Sequence, residues 1–196
     1  MNDGGLLCVT CTDMAVLSGN NPSACFSRYG SMPVKGPYLH EMALRILLSS
    51  IEASANKHQR HITPIISCSI DFYVRVFVRV HKSAANVKES STKSALVYHC
   101  GSCSSFHVQP RSRRKNVNLA AAQGPVVGDT CDQCGSRFKL GGPFWSAPIH
   151  DQAAVLAILE KVNETDDAEI PTKRELKALL SNVSEEVRTS RCRNSP

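Results

Sequence analysis

Four cysteines in two pairs are the residues whose types and spacing most clearly predict chemistry in this sequence. Cys100 and Cys103 form one Cys-x-x-Cys pair, Cys131 and Cys134 form a second, and 27 residues separate the two pairs. A Cys-x-x-Cys turn lets two thiolates bind one ion, and two such turns complete the tetrahedral ligand set that Zn²⁺ prefers. We therefore predict that these four residues hold one zinc ion.

Other interpretations of the cysteines remain open at this point. The four thiols could be free and unrelated, or one pair could be a redox motif, although no helix is predicted to follow either pair as that motif requires. His99 and His107 flank the first pair and are alternative ligands. A third pair, Cys8 and Cys11, lies in a predicted strand, where residues three apart point to opposite faces. We expect these two to be small buried apolar residues.

Length, composition and charge narrow the class of protein. The chain has 196 residues, 42% of them hydrophobic, with nine cysteines and a net charge of +6. That composition excludes a wholly disordered chain, and no apolar run approaches the roughly 18 residues of a membrane span. The N-terminus lacks the basic cluster of a secretory signal. We expect an intracellular protein with no membrane partner, in which reduced, clustered cysteines indicate metal binding.

Positive charge is densest in the segment of the sequence where the cysteine pairs lie. Residues 101–150 contain six Lys/Arg against two Asp/Glu, whereas residues 151–196 contain seven against nine. Four of the basic residues form one run in a predicted loop: Arg111, Arg113, Arg114 and Lys115. Such a run could contact a nucleic-acid backbone or could simply be solvated.

The hydrophobic pattern predicts an α/β protein. A short buried strand is expected at residues 6–12, and a helix with one apolar face begins near Pro37 and ends near residue 56. Residues 62–68 and 72–80 read as two strands that could form a hairpin. Another strand covers residues 95–99, helices cover 152–162 and 173–187, and residues 18–36 and 82–94 are predicted loops.

Polar residues on these elements are further candidates for binding. In strand 72–80, Tyr73, Arg75 and Arg79 share one face, which could contact phosphate and stack on bases or could pack beneath other elements. Thr12 and Asp13 follow the carboxyl end of the first strand, which is where open α/β sheets bind ligands. A turn or capping role for Asp13 is equally compatible with the sequence.

Several stretches, in order, resemble the tRNA (guanine-26, N2) dimethyltransferase family. Residues 4–13 resemble a late strand of that family and its following loop, and residues 38–45 resemble the next helix. Residues 71–80 are similar to the family's most recognisable strand. The two cysteine pairs, followed by residues 141–145 and 148–151, resemble its zinc-bearing insertion. The resemblance extends from about residue 4 to about residue 162.

The resemblance implies a fold and a domain order. The expected fold is α/β, with a partial class I (Rossmann-like) methyltransferase sheet followed by a zinc-bearing module and C-terminal helices. Residues 1–94 would form the C-terminal half of the methyltransferase domain and residues 95–150 the zinc-binding insertion. Residues 151–187 would begin a helical domain, and residues 188–196 would be a disordered tail.

The resemblance also implies an activity. The family uses S-adenosylmethionine to methylate the N2 amine of guanine 26 in tRNA, which adds Thr12 and Asp13 as cofactor-binding candidates. Arg45 joins the tRNA-binding candidates because it lies in the matched helix; a solvated helix face is its alternative. The expected partner is tRNA, the expected state is a monomer, and nucleus, cytoplasm and mitochondrion all remain open as locations.

Two family motifs are missing from the sequence. In the family, a glycine-rich cofactor motif and an Asp-Pro-Phe-Gly catalytic motif precede the Gly-Gly strand, and no Asp-Pro-Phe occurs here. We therefore assign no catalytic residue and expect the chain to resemble the middle third of the enzyme, without turnover of its own. Two alternatives stay open: a non-enzymatic zinc-ribbon module that binds RNA, and an interaction protein whose zinc only stabilises the fold.

Overall fold

The protein is described by a computed structural model over residues 2–116 and 118–193. Its strands are β1 (Gly5–Cys11), β2 (Arg60–Ile70), β3 (Tyr73–Lys82), β4 (Ser94–Cys100), β5 (Phe106–Pro110), β6 (Ser112–Lys115), β7 (Asn118–Ala121) and β8 (Phe138–Trp145). Its helices are α1 (Met14–Leu17), α2 (Pro22–Tyr29), α3 (Leu39–Asn56), α4 (Ala84–Glu89), α5 (Gln152–Glu164) and α6 (Lys173–Arg193), with a 3₁₀ turn at Ser90–Lys93.

The chain divides into two compact units. The first contains residues up to 63 together with 67–147, and the second contains residues 64–66 together with residues from 148 onward. The first unit holds three small sheets, with strand orders β1-β3-β2, β5-β4-β8 and β6-β7. The second holds α5 and α6, which bury Val155, Val162 and Leu180.

The alternating valines of β3 form the core of the first sheet. Val74, Val76 and Val78 are fully buried, and α3 packs against β3. The predicted hairpin is confirmed, since β2 and β3 are neighbours joined only by Asp71 and Phe72. Valine suits this position because its branched side chain packs well on a pleated surface.

Strand β1 is less buried than the sequence predicts. It pairs antiparallel with β3, and its residues alternate between half-buried and exposed. Leu6 is 53% exposed and Cys8 is exposed, while Cys11 is half-buried. The prediction of a buried strand, with Cys8 and Cys11 as buried apolar residues, is wrong because one face of this strand is exposed and the other is only half-buried.

Helix α3 confirms the predicted apolar stripe and adds one buried carboxylate. Met42, Ala43, Ile46 and Leu47 are all buried. Glu52 of this helix is also buried, and it is bonded there: the Ile62 backbone N–H donates to Glu52 Oε2 at 2.7 Å and the Ser90 hydroxyl donates to Oε1. A buried charge is tolerated when such donors replace water.

Two predicted loops contain helices. Residues 18–36 include α2, which starts at Pro22 and is followed by Gly30 in a left-handed conformation, φ 69°. Proline in the first turn and glycine just past the end are helix boundary signals, but the Ser-, Gly- and Asn-rich composition concealed them. Residues 82–94 form α4 and the 3₁₀ turn, and the Ser83 side chain caps α4 by accepting from the Asn86 N–H.

The α/β class is confirmed, but the described residues form small sheets. Every strand pair with a determined register in these residues is antiparallel: β1 with β3, β4 with β5 and β8, and β6 with β7. The predicted loop between the cysteine pairs contains the β6–β7 ribbon. Helix α6 continues to Arg193, beyond its predicted end at 187, and residues 194–196 of the predicted disordered tail lie outside the described residues. No helix in the described parts is long and apolar enough to cross a membrane.

Candidate metal centre and nucleic-acid surface

The two cysteine pairs fold into two matching turns, which we call the first knuckle (residues 100–105) and the second knuckle (residues 131–136). In the first, the Cys100 N–H donates to the carbonyl five residues on and Ser104 N–H donates back to Cys100 O. In the second, Cys131 N–H and Gly135 N–H make the same two bonds. The fifth residue of each knuckle is left-handed, with φ 62° at Ser104 and 72° at Gly135.

The knuckles bring the four thiols together in a set that suits one zinc ion. The distance from Cys100 Sγ to Cys134 Sγ is 3.4 Å, and that from Cys103 Sγ to Cys131 Sγ is 3.6 Å. All four sulfur atoms lie within 4.8 Å of one another. Tetrahedral Zn²⁺ with Zn–S bonds of 2.3 Å would place its sulfurs about 3.8 Å apart. The spacing and the thiolate chemistry therefore fit this metal.

Hydrogen-bond donors around the cluster favour thiolates. The Ser105 Oγ lies 3.2 Å from Cys103 Sγ and 3.1 Å from Cys131 Sγ, and this hydroxyl lowers the pKa of both thiols. Backbone and side-chain donors of Ser136 lower the pKa of Cys134. Backbone N–H groups of Cys103 and Ser102 also favour the Cys100 thiolate, but burial and neighbouring thiols raise the pKa of Cys100 to about 11. A cation among the four sulfur atoms would favour the thiolate form of Cys100 as well.

The alternative ligands are directed elsewhere. His99 Nδ1 lies 2.8 Å from the Tyr38 hydroxyl, and the His107 ring packs edge-on against Phe138 at 5.6 Å between centroids. Neither histidine belongs to the one cluster of possible metal ligands found among the described residues.

The third cysteine pair is not a chelating turn. Cys8 is exposed on one face of β1, while Cys11 Sγ lies 3.0 Å from the Tyr29 hydroxyl on the other. The two thiols therefore lie on opposite faces of the strand, as predicted.

The basic run lies on the β6–β7 strand pair, which together with Arg111 we call the basic ribbon (residues 111–121). Arg114 forms an ion pair with Glu89, and on the same side of the strand the Ser112 hydroxyl donates to Ser91 Oγ at 2.8 Å. Alternate strand residues point to opposite faces, so Arg113 and Lys115 point away from these contacts. Arg111, Arg113 and Lys115 are exposed and have no acidic partner in the described residues.

Arg45 is engaged inside the protein. Its Nη1 donates to the carbonyls of Trp145 and Ala147 at 2.8 and 2.9 Å, and its Nε donates to Glu41 Oε1 at 2.8 Å. The side chain is 19% exposed. This geometry ties α3 to the end of β8, which favours a structural role over the solvated helix face.

The two arginines on the polar face of β3 form hydrogen bonds with β1 and with the residue just before it. Arg75 Nε donates to Thr10 Oγ1 at 2.9 Å, and its guanidinium lies 5.4 Å from the Tyr73 ring centroid. Arg79 Nη1 donates to the Gly4 carbonyl at 3.2 Å. The structure thus brings Tyr73 and Arg75 together on one half-exposed patch, some distance along the strand from Arg79.

Asp13 belongs to a small polar cluster at the end of β1. Arg28 Nη1 donates to Asp13 Oδ2 at 2.7 Å, and the Tyr29 hydroxyl donates to the same oxygen at 3.1 Å. The Arg28 and Tyr29 hydrogen bonds lower the pKa of Asp13, while burial raises the pKa of Tyr29. Thr12 beside it is exposed.

The sequence missed the partners that complete these sites. Arg28 and Tyr29 come from α2, which was assigned to a loop. Ser105 is one of many serines, and nothing in its spacing marks it as a donor to two thiols. Tyr38 could have been noticed only through its place before α3. Apart from the contact of Ser105 with the nearby Cys103, each partner is brought in by a contact across 15 or more residues.

Known proteins of one family match this chain over almost its whole length. The family model for N2,N2-dimethylguanosine tRNA methyltransferases matches residues 1–193. A tRNA (guanine(26)-N(2))-dimethyltransferase of Arabidopsis thaliana is 50% identical over 191 residues, covering 95% of this chain and 32% of the relative. The human protein of the same name is 46% identical over 192 residues, covering 95% and 29%.

A mitochondrial relative and one solved structure extend the comparison. The mitochondrial tRNA (guanine(26)-N(2))-dimethyltransferase of Saccharomyces cerevisiae is 35% identical, covering 97% of this chain and 36% of the relative. Trm1 from Pyrococcus horikoshii, solved with S-adenosyl-L-methionine, matches with a TM-score of 0.73 and 25% identity, covering 92% of this chain and 42% of that one. The chain spans about a third of the length of the curated relatives described here.

Proposed function

The chain belongs to the N2,N2-dimethylguanosine tRNA methyltransferase family, and on that basis we propose that it is part of a tRNA guanine-26 N2-methyltransferase. The methyl donor would be S-adenosylmethionine, which is bound in the related Pyrococcus structure. The observation that carries the proposal is 50% identity to the Arabidopsis enzyme across 95% of the chain.

The proposed chemistry sets what the enzyme must do for its substrate. The lone pair of an exocyclic guanine amine is delocalised into the ring, so the amine is a weak nucleophile. Methyl transfer needs it held in line with the donor methyl, with an acceptor for the departing proton. We assign neither task to a residue of this chain. Its share, in this proposal, is to hold the tRNA.

We propose that the basic ribbon and the patch of Tyr73 and Arg75 contact tRNA. Arg111, Arg113 and Lys115 support this because they are exposed cations without acidic partners among the described residues, and such groups bind phosphates by releasing counterions. Arg114, paired with Glu89, would contribute less. Arg79 and Arg45 rank lower, since backbone carbonyls already accept their hydrogen bonds.

The zinc ion would stabilise the part of the fold that carries this surface. The four-cysteine cluster joins the start of β5 to the segment before β8, so metal would hold the strands that carry the ribbon. Closed Cys₄ sites contribute folding energy and leave no open position for a substrate. We therefore place no reaction step at the metal.

We further propose that the β1-β3-β2 sheet is one end of a larger class I methyltransferase sheet. The outer edge of β1 has no strand partner in the described residues, and Leu6 beside it is 53% exposed. The domain limits 1–94, 95–150 and 151–187 remain proposals. So does cofactor contact by Thr12 and Asp13, of which Thr12 is the better placed because Asp13 is already bonded to Arg28.

The remaining expectations also stand as proposals. We propose a monomeric protein that works inside the cell, in the nucleus, the cytoplasm or the mitochondrion. The mitochondrial name of the yeast relative supports the last of these compartments for at least one family member.

A chimeric enzyme tests the proposed function directly. The matched third of the Arabidopsis enzyme would be replaced by this chain, and the chimera incubated with S-adenosylmethionine and unmodified tRNA. Mass spectrometry should find dimethylguanosine at position 26, and a tRNA with adenine at that position should stay unmodified. A folded, zinc-loaded chimera that methylates nothing would contradict the proposal, and tRNA binding without activity would favour the zinc-ribbon RNA-binding alternative.

A further inference from the structure

A pocket lies between α3 and the β5-β4-β8 sheet, next to the first knuckle. Its volume is about 210 Å³, smaller than the roughly 300 Å³ at which pockets for drug-sized ligands begin. Met42, Val97 and Phe144 form a buried apolar floor, and Phe106 and Val108 stand at the mouth. Such a space suits one flat ring system.

The mouth of the pocket presents an aromatic platform. Phe106 is 53% exposed and Val108 41% exposed, both on the face of β5 that lines the pocket, and β5 is an edge strand. The Tyr38 ring lies 4.9 Å from Phe106, centroid to centroid, tilted by 59°. Tyr38 is itself fixed by its hydrogen bond to His99. Two rings held in this way leave an apolar face to which another ring can stack.

The rim offers both a hydrogen-bond donor and an acceptor. Arg45 uses Nε and Nη1 for Glu41 and two backbone carbonyls, so Nη2 still carries donors that no acceptor in the described part of the chain engages. Glu41 uses Oε1 for Arg45, which leaves Oε2 as an acceptor. A nucleobase edge, which carries donors and acceptors side by side, matches this pair better than an aliphatic group does.

A cluster of positive charge follows the pocket's Val108 closely in the chain. Arg113 is five positions after Val108, so at most about 18 Å of extended chain lies between the pocket mouth and this cation of the basic ribbon. Arg111, Arg113 and Lys115 follow along this path as exposed cations. An aromatic platform beside a cationic track is the arrangement with which proteins bind unpaired nucleotides. An apolar peptide would gain nothing from the cations.

We infer that this pocket receives one unstacked nucleobase of the tRNA while the basic ribbon binds neighbouring phosphates. The inference rests on the proposed function, because it takes tRNA as the partner. The base would stack on Phe106 and Tyr38 and use its edge to bond Glu41 and Arg45. Stacking of this kind tolerates different bases, so the pocket would hold and orient the tRNA without selecting one particular base.

The test is the affinity of the full chain for unmodified, fluorescently labelled tRNA, followed by anisotropy at several salt concentrations. Phe106→Ala should weaken binding roughly tenfold or more, the usual effect of losing one stacked base. The salt slope should stay unchanged because no cation is lost. Phe106→Tyr should restore binding. Phe72→Ala is the matched control, since Phe72 is 86% exposed in the β2–β3 turn, and it should bind as the unaltered chain does.

A second measurement reports the base itself. The probe is a short single-stranded RNA that contains one 2-aminopurine. Its fluorescence should fall when it binds the unaltered chain and should persist with Phe106→Ala. Circular dichroism and zinc content establish that both proteins are folded. Unaltered tRNA affinity in Phe106→Ala, together with an unchanged 2-aminopurine signal, overturns the inference while leaving the proposed function intact. Absence of tRNA binding by the zinc-loaded chain at low salt overturns the inference, and the chimera then decides separately whether the proposed function also fails.

Discussion

At the scale of single residues, the four sulfur atoms set the strongest requirement. Cys100, Cys103, Cys131 and Cys134 lie within 4.8 Å of one another, and their neighbours favour thiolate for three of them. Like charges at this separation repel strongly unless a cation lies between them. The cluster is therefore expected to hold metal whenever metal is present.

Purified protein should contain one equivalent of zinc. Cys131→Ser combined with Cys134→Ser should abolish it, because two ligands cannot hold a structural ion. The matched control is Cys8→Ser with Cys11→Ser, which removes a Cys-x-x-Cys pair of identical spacing. Elemental analysis should find zinc retained in the control, and full retention in the first variant would refute the assignment.

Ser105 is expected to tune the metal affinity. Its hydroxyl lowers the pKa of both Cys103 and Cys131, so these thiolates persist to lower pH than free cysteine and protons compete less with zinc. Ser105→Ala should weaken zinc binding about tenfold, as loss of an outer hydrogen bond to a ligand usually does. The pH at which half the zinc is released should rise.

Competition with a chelating dye during an acid titration measures both effects of the Ser105 change. Ser102→Ala serves as the control, because Ser102 lies in the same knuckle but its side chain makes no hydrogen bond to any other described residue. Equal release curves for the two variants would show that the Ser105 hydroxyl has no influence.

Arg45 is expected to matter for stability. Arg45→Ala removes the donor to two backbone carbonyls at the end of β8 and should lower the free energy of unfolding by about 1–3 kcal/mol. Arg79→Ala, which removes a single exposed bond to Gly4, should cost less than about 0.5 kcal/mol. Urea denaturation compares the two, and equal midpoints would argue against the structural role.

At the scale of elements, the basic ribbon divides its charges between two faces. Arg114 is neutralised by Glu89, whereas Arg113 and Lys115 on the other face are not. The element therefore presents fewer usable cations than its sequence contains. A residue count would overestimate its contribution to nucleic-acid binding.

The salt dependence of tRNA binding should show this division. Arg113→Ala and Lys115→Ala should each lower the slope of log affinity against log salt by about 0.7 to 0.9, one phosphate contact each. Arg114→Ala should change the slope much less. Glu89→Gln, which releases Arg114, should steepen it. Anisotropy titrations measure all four, and equal effects from Arg113→Ala and Arg114→Ala would contradict the assigned faces.

At the scale of the whole molecule, the chain covers about a third of its curated relatives and has no Asp-Pro-Phe motif. We expect it to transfer no methyl groups when incubated alone with labelled S-adenosylmethionine and unmodified tRNA. The Arabidopsis chimera, assayed in parallel, shows that the reagents and tRNA are competent. Label incorporated by the isolated chain above a protein-free blank would disprove this expectation.

Features carried by neighbouring residues could be predicted from the sequence alone. The spacing of the cysteine pairs identified the four members of the metal cluster, because ligand turns are local. The alternation in 72–80 identified a core strand, and the repeat in α3 identified its buried face, because both periods follow directly from backbone geometry. The order of motifs indicated the family, which the relatives confirm.

Only the tertiary structure decided which polar groups meet. Whether Arg114 or Arg113 is neutralised depends on Glu89, and whether Arg45 is solvated depends on carbonyls about 100 residues away. The burial of Glu52, the exposure of β1 and the pocket beside Phe106 likewise depend on elements distant in sequence. Local periodicity is set by steric rules within a few residues, whereas these pairings arise when separate segments pack, and no single segment contains that information.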